Sequence, residues 1–216
     1  MSKIILGSGS PRRLELLTQV VDRQQVEVVR PDCDELSFDD IKSSAAIDER
    51  LRANAQLKLD TVLEMIGNTQ SILLCADTVV VAQASDSLAV LGKPDGPNWQ
   101  SRVTDWFSRY YIAQPHSVRT GYVLQREAET VFGVAETTVE FRPDAVDLLP
   151  WYLSTEEPLG KAGGYAIQGA GSVFATRVDG SLTNVIGLPL EAVLDTLRAW
   201  KFPLKTTLPR GNPLRK

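Results

Sequence analysis

The sequence predicts a single α/β domain of two lobes. Short apolar runs with β character alternate with stretches of helical periodicity from Ile4 to Val81. Two longer segments, His116–Leu124 and Thr130–Phe141, alternate well enough to read as paired strands. No internal repeat or linker divides the 216 residues. The domain is expected to span residues 1–202, with residues 203–216, rich in Pro, Thr, Arg and Lys, as a flexible C-terminal tail.

Bulk properties bound the function. Hydrophobic residues make up 43% and charged residues 23%, the profile of an ordinary soluble globular protein. A net charge of −4 supplies no positive field to steer nucleic acid or an anionic membrane to the chain, although a local cationic pocket for a nucleotide remains compatible with it. No apolar run approaches the roughly 18–20 residues that span a bilayer, and no signal peptide precedes the first motif. A cytoplasmic protein with reduced thiols is therefore expected. Cys33, Cys75 and the sole histidine, His116, are too few and too scattered for a disulfide scaffold or a Cys/His zinc site. Nothing around His116 suggests a nucleophile elbow.

The first strand, Ile4–Leu6, leads through Ser8-Gly9-Ser10 into a helix on which Leu14, Leu17 and Val21 recur at helical spacing. Ser10 can cap this helix, and Pro11 fits its first position, where a missing N–H costs nothing. Arg12 and Arg13 then occupy the first turn, where the helix dipole disfavours cations. Either they form a solvated basic turn or they meet an anion such as a phosphate chain, which free N–H groups, hydroxyls and guanidinium groups would suit.

A second β run, Gln25–Arg30, precedes an acidic loop, Pro31-Asp32-Cys33-Asp34-Glu35. A long helix follows from Ile47, ending at Gly67-Asn68, with Leu51, Ala55, Leu59, Val62 and Ile66 on one face. At about 100° per residue this face spans an arc of roughly 120°. Lys58 projects inside that arc, where a lysine either snorkels past the core or reaches an anion in a cleft. The strand Ser71–Ala76 then runs into Asp77-Thr78 and Val79–Val81. An aspartate within an apolar strand is costly unless paired, so Asp77 is either a metal ligand or general base, or a strand-end residue bonded to nearby backbone.

Gln83–Ala89 reads as a hairpin or loop, and Lys93 is held between Gly92 and Pro94 in a segment that cannot be helical. Aromatics from Trp99 to Tyr110 recur at helical spacing within Asn98–Tyr111 and read as core. Pro143 opens another helix through Leu149. Four glycines between Gly160 and Gly169 then mark a loop of close approaches or positive φ, bracketed by Lys161 and Gln168. A strand over Gly171–Val178 and a last helix opening at Gly187-Leu188-Pro189 complete the fold.

The cations Arg12, Arg13, Lys58, Lys93 and Lys161, with the acids Glu35 and Asp77, are what a metal-dependent phosphoanhydride hydrolase requires. No Walker A motif is present. The ordered set SGSPRRLELL, DCDE at 32–35, the helix bearing Lys58, CADTVVV at 75–81, LGKP at 91–94, HSVRTG at 116–121, EEPLGKAGGYAIQG at 156–169 and NVIGLPL at 184–190 resembles the Maf family of nucleotide pyrophosphatases, over residues 3 to about 200.

That resemblance implies a two-lobed mixed sheet flanked by helices around a central cleft, akin to the inosine-triphosphate pyrophosphatases. It implies hydrolysis of a nucleoside triphosphate to the monophosphate and pyrophosphate with Mg²⁺ or Mn²⁺, and a possible homodimer. Pro11-Arg12-Arg13 and Ala76-Asp77-Thr78 resemble the dTTP/UTP-cleaving branch, with modified pyrimidine triphosphates as further substrates. By position, Ser8, Arg12, Arg13, Lys58 and Lys93 would grip phosphates, with Lys161 either joining them or shaping the cleft lip. Glu35 and Asp77 would hold metal and position the water, with Asp77 as proton acceptor. Thr78 and Gln168 would lie near the base. Gly7, where the family usually has alanine, would loosen the first turn. Two alternatives stand beside this reading: a non-catalytic nucleotide sensor regulating septum formation, or the same reaction on 7-methyl-GTP or a deaminated purine triphosphate.

Overall fold

The computed structural model describes residues 2–112 and 114–205. Thirteen strands and α-helices follow one another as β1 (Ile4–Gly7), α1 (Pro11–Val20), β2 (Val26–Val29), α2 (Ser44–Ile66), β3 (Ile72–Gln83), β4 (Leu88–Leu91), α3 (Trp99–Trp106), β5 (His116–Arg126), β6 (Glu129–Phe141), α4 (Ala145–Ser154), β7 (Ala175–Asp179), α5 (Leu182–Ile186) and α6 (Leu190–Ala199). The seven strands form one mixed sheet in the order β2-β1-β3-β5-β6-β7, with β4 on β3. β1 runs parallel to β2 and β3, and every other pairing is antiparallel.

The alternation of β3 divides the interior. Ile72, Leu74 and Ala76 face one core with β1, α1 and α6, while Val80 and Ala82 on the same side face a second core of Phe107, Tyr111, Phe141, Tyr152, Tyr165 and Phe174. On the opposite side, Leu73 and Cys75 pack on Ala55, Leu59 and Val62 of α2, and Val79 and Val81 pack near Ile47 and Leu51. Thr78 interrupts the first side and Asp77 the second. The clusters on each side therefore meet where β3 turns polar on both faces. Each fully buried aliphatic side chain here contributes about 1.5–3 kcal/mol, which is what the polar pair forgoes.

Two glycines set close approaches. A Cβ on Gly121 would meet Leu51 O at 2.6 Å, so only glycine lets α2 lie this near β5, at the register position opposite Asp77. A Cβ on Gly7 would meet Cys75 Sγ at 2.3 Å and Val62 Cγ2 at 2.9 Å. The looser turn expected of Gly7 is thus corrected: the residue ends β1 in register with Cys75, whose thiol fills the missing side chain's space.

Several boundaries differ from the sequence reading. α2 begins three residues early because Ser43 accepts from Ala46 N. The aromatic helix ends as α3 at Trp106 and continues as a π-helical turn over Phe107–Tyr111, which buries Phe107 and Tyr111. α4 runs on to Ser154 despite Pro150. Residues 170–174 form a 3₁₀ turn, so the expected strand is shortened to β7. α5 was not expected; Ser181 caps it by accepting from Asn184 N, and α6 starts only after Pro189. Of the expected tail, Lys205 N donates to Val20 O at 2.8 Å; residues 206–216 lie outside the described residues.

Candidate active site

The cleft is a gap in the sheet. β1 stops at Gly7 opposite Cys75, and the antiparallel pairing with β4 begins only at Val80, opposite the last β4 residue Leu91, so Ala76–Val79 have a strand partner, β5, on one side only. Two cationic side chains take the place of a neighbouring strand there. The carbonyl of Ala76 accepts from Arg13 Nη1 at 2.9 Å and from Lys58 Nζ at 3.4 Å. A cavity of about 380 Å³ opens over this edge, lined by the Gly7–Arg13 turn, Lys58, Asp77, Thr78, Lys93 and Lys161 among others.

The N-terminal turn supplies one wall. Ser10 occupies the position before α1 but its hydroxyl makes no cap bond; instead Ser8 Oγ accepts from Ser10 N at 3.1 Å. Arg13 is committed inward. Its Nε donates to Gly187 O at 2.7 Å, Nη1 also reaches Ser8 Oγ at 3.3 Å, and Nη2 donates to Thr78 Oγ1 at 2.9 Å. Arg12 lines the cleft and makes no ion pair of 4 Å or less among the described residues; burial lowers its pKa, opposed by the charge of Glu157.

The floor is a carboxylate–ammonium–carboxylate chain. Lys58 Nζ lies 2.7 Å from Asp77 Oδ1 and 2.7 Å from Glu35 Oε1. Asp77 Oδ2 accepts from Asn54 Nδ2 at 3.0 Å, one helical turn before Lys58 on α2. Burial works to raise the Asp77 carboxyl, but the charge and hydrogen bond of Lys58, then Arg13 and Asn54, outweigh it and hold the group below its ordinary value. Asp77 is therefore ionised at neutral pH. Thr78, the next residue, shares a 2.9 Å hydrogen bond with Thr120 Oγ1.

The opposite wall joins two loops. Gly163 N donates to Gly92 O at 2.9 Å, and Gly160 N to Pro94 O at 3.3 Å, so Lys93 and Lys161 stand on strapped segments. Gly163 takes a φ of 68°, and a Cβ there would strike Tyr111 and Val80. Burial, then the charge of Arg12, lowers the Lys161 pKa.

The profile of the Maf-like protein family matches residues 3–200. The chain belongs to the Maf family. Its curated relatives include three proteins named dTTP/UTP pyrophosphatase: from Pyrococcus abyssi, 35% identical over 90% of this chain and 95% of the relative; from Symbiobacterium thermophilum, 34% identical over 95% and 98%; and from Syntrophus aciditrophicus, 36% identical over 91% and 89%. The Maf assignment and the α/β mixed sheet expected from the sequence agree with one another.

On this Maf scaffold, Ser8, Arg12, Arg13, Glu35, Lys58, Asp77, Thr78, Lys93 and Lys161 all line the one cleft. Gln168 does not; it is exposed on a turn after Tyr165, and the segment behind it is held by Glu157, whose carboxylate accepts from Ala170 N and Gly171 N at 2.8 Å. Arg13 and Thr78 line the cleft with their polar atoms already engaged, which makes them parts of its frame. The sequence reading passed over Asn54. Its signal was an amide between Leu51 and Lys58 on the buried face of α2. His116 packs in the second core, its Nε2 2.8 Å from Tyr165 OH, and burial lowers its pKa to about 3.

Glu35 and Asp77 could hold a hard divalent cation that shares its shell with a ligand, each Asp77 oxygen keeping a lone pair beyond its bond to Lys58 or Asn54. Glu35 offers Oε2 from a side chain 42% exposed, beside the ionised Asp77. Among the described residues no three His, Cys, Asp or Glu converge, so a self-contained metal cage is not built. Two carboxylates plus phosphate oxygens suit Mg²⁺ or Mn²⁺. Among the described residues, no helix is long and apolar enough to cross a membrane.

Proposed function

We propose that this chain hydrolyses dTTP and UTP, and modified pyrimidine triphosphates, to the monophosphate and pyrophosphate in a reaction that depends on Mg²⁺ or Mn²⁺. The observation that carries this reading is the asymmetry of the cleft. Arg12, Lys93 and Lys161 line its walls without an ion-pair partner among the described residues, while Lys58 on the floor is held between two carboxylates. Unpaired cations facing one another across a cavity call for a polyanion, and a triphosphate has the charge to meet them. The names of the relatives supply the bases.

In the proposed step water attacks the α-phosphorus, the bond from that phosphorus to the α–β bridging oxygen breaks, and pyrophosphate leaves with that oxygen. Arg12, Lys93 and Lys161 hold the β- and γ-phosphates, which leave together. Lys58 and the first-turn N–H groups of α1 neutralise charge on the phosphorus under attack. Asp77 accepts the proton of the attacking water. A carboxylate held this low is a weak base, so the water must be acidified for the transfer to be efficient. A divalent cation would be held by Glu35 and Asp77 and would supply that acidification.

A panel of nucleoside triphosphates, including 7-methyl-GTP and deaminated purines, tests the reading with purified protein and a pyrophosphate assay. Release from dTTP and UTP above all others, abolished by a chelator and restored by Mg²⁺ or Mn²⁺, is expected. Preferred release from a purine would move the substrate, and binding without release from any nucleotide would favour a sensor.

A further inference from the structure

We propose that Asn54 is a positioning residue that ties the loop carrying Glu35 to Asp77 and so fixes the spacing of the two carboxylates. The inference rests on the proposed hydrolysis. The loop between Val29 and Ser44 contains no strand or helix. Among the described hydrogen bonds none holds residues 31–34 to the rest of the chain, and Leu36 is the first residue after them whose backbone is fastened. Both backbone groups of Leu36 go to one side chain. Leu36 N donates to Asn54 Oδ1 at 2.8 Å, and Asn54 Nδ2 donates to Leu36 O at 3.2 Å. The second Nδ2 hydrogen goes to Asp77 Oδ2 at 3.0 Å.

Asn54 is fully buried, and its amide can sit in only one orientation. Turned over, it would set Nδ2 against the Leu36 N–H and its carbonyl oxygen against the Asp77 carboxylate. A buried amide costs free energy that an aliphatic residue would not, since Leu51, Ala55 and Leu59 pack on the same helix face. The other hydrogen bonds that tie this loop to the fold, Arg50 to Ser37 O and Leu88 N to Lys42 O, lie beyond Glu35 and do not touch Asp77. Lys58 also bridges the two carboxylates, but through a flexible stem and a single ammonium. Asn54 is the short, directional tie between them.

Asn54→Leu in the full chain tests this, with Asn54→Ala in its place should leucine not fit. Amide hydrogen exchange at residues 35–37, the thermal midpoint, and kcat and KM for dTTP with Mg²⁺ are measured together. Exchange at Leu36 should rise at least about tenfold and kcat fall about 10–100-fold, with KM within about twofold, because the phosphate-binding cations are untouched. The thermal midpoint should fall, because the Leu36 backbone and the buried Asp77 Oδ2 lose their partner, while a loss of stability alone would not split kcat from KM. Asn54→Asp keeps the acceptor for Leu36 N but sets a carboxylate against Asp77, so protection at Leu36 should return without kcat. Native kcat in Asn54→Leu, native kcat in Asn54→Asp, or unchanged exchange at Leu36 would each overturn the proposal. If the native protein itself cleaves no nucleotide, the proposed function fails, while the exchange measurement still decides whether Asn54 fastens the loop.

Discussion

The Lys58 ammonium lies 2.7 Å from Asp77 Oδ1, with the two side chains only 8% and 6% exposed. Breaking a buried pair by deleting one partner outright leaves a stranded charge at a cost of about 3–5 kcal/mol. Asp77→Asn avoids most of that cost, because the amide keeps the shape and Lys58 retains Glu35 as a partner. The variant should fold and bind dTTP while pyrophosphate release falls about 10²–10⁴-fold, the range typical of a lost general base. Full turnover in Asp77→Asn would remove Asp77 from the proton transfer.

Arg13 and Lys93 line the same cavity but should fail differently when truncated. Arg13 ties α1 to Gly187, Ala76 and Thr78, so Arg13→Ala leaves carbonyls and a hydroxyl unmet and should lower stability by about 1–3 kcal/mol, along with activity. Lys93 is exposed and makes no ion pair of 4 Å or less among the described residues. Lys93→Ala should leave the thermal midpoint within a degree or two and raise KM for dTTP about tenfold. Denaturation curves and steady-state kinetics on both variants separate the frame from the grip.

Much of this arrangement was legible in the sequence, and what was hidden has physical reasons. The anomaly of Arg12 and Arg13 in a first helical turn, the lysine inside the apolar arc of α2, and the aspartate within an apolar strand each broke a local rule, and all four residues line one cleft. The role of Arg13 was not readable, since hydrogen bonds to Gly187 and Ala76 join residues 174 and 63 positions apart. α5 escaped notice because five residues carry too little periodicity to register. Asn54 escaped because a single amide beside an apolar helix face names no partner until the loop that carries Leu36 is placed. The space left by Gly7 depends on a register that brings Cys75 opposite, which composition does not encode.

His116 should make stability sensitive to acid. Its folded pKa is about 3 against an ordinary value of 6.5, the cause being burial, and the rings that face it, Tyr111, Phe141 and Tyr165, carry no charge at these pH values. Between those values the unfolded chain binds a proton that the folded chain does not. The contribution is therefore complete above about pH 6.5 and is lost as pH falls toward 3, amounting to about 2 kcal/mol by pH 5. Urea denaturation at pH 5, 6 and 7 should show this slope, and His116→Phe should flatten it. Equal slopes in both proteins would exclude His116 as the source.

Gly7 and Cys75 should behave as a coupled pair. Gly7→Ala pushes a methyl into the Cys75 thiol and should cost about 1–3 kcal/mol. Cys75 is fully buried, with burial pushing its pKa up to about 12, so it acts there as a small apolar group. Cys75→Ala alone leaves a void, and combining the two substitutions should recover part of the loss. A double-mutant cycle that came out additive would disprove the shared space.

The unpaired stretch of β3 has a consequence for solubility as well as for chemistry. An open strand edge is a template on which a foreign extended segment can dock and begin aggregation. Here the edge is held by Arg13 and Lys58, whose long cationic side chains occupy the carbonyl of Ala76. The groups that shape the cleft are thus also gatekeepers, and a substitution that frees them trades lost activity for a new site of self-association.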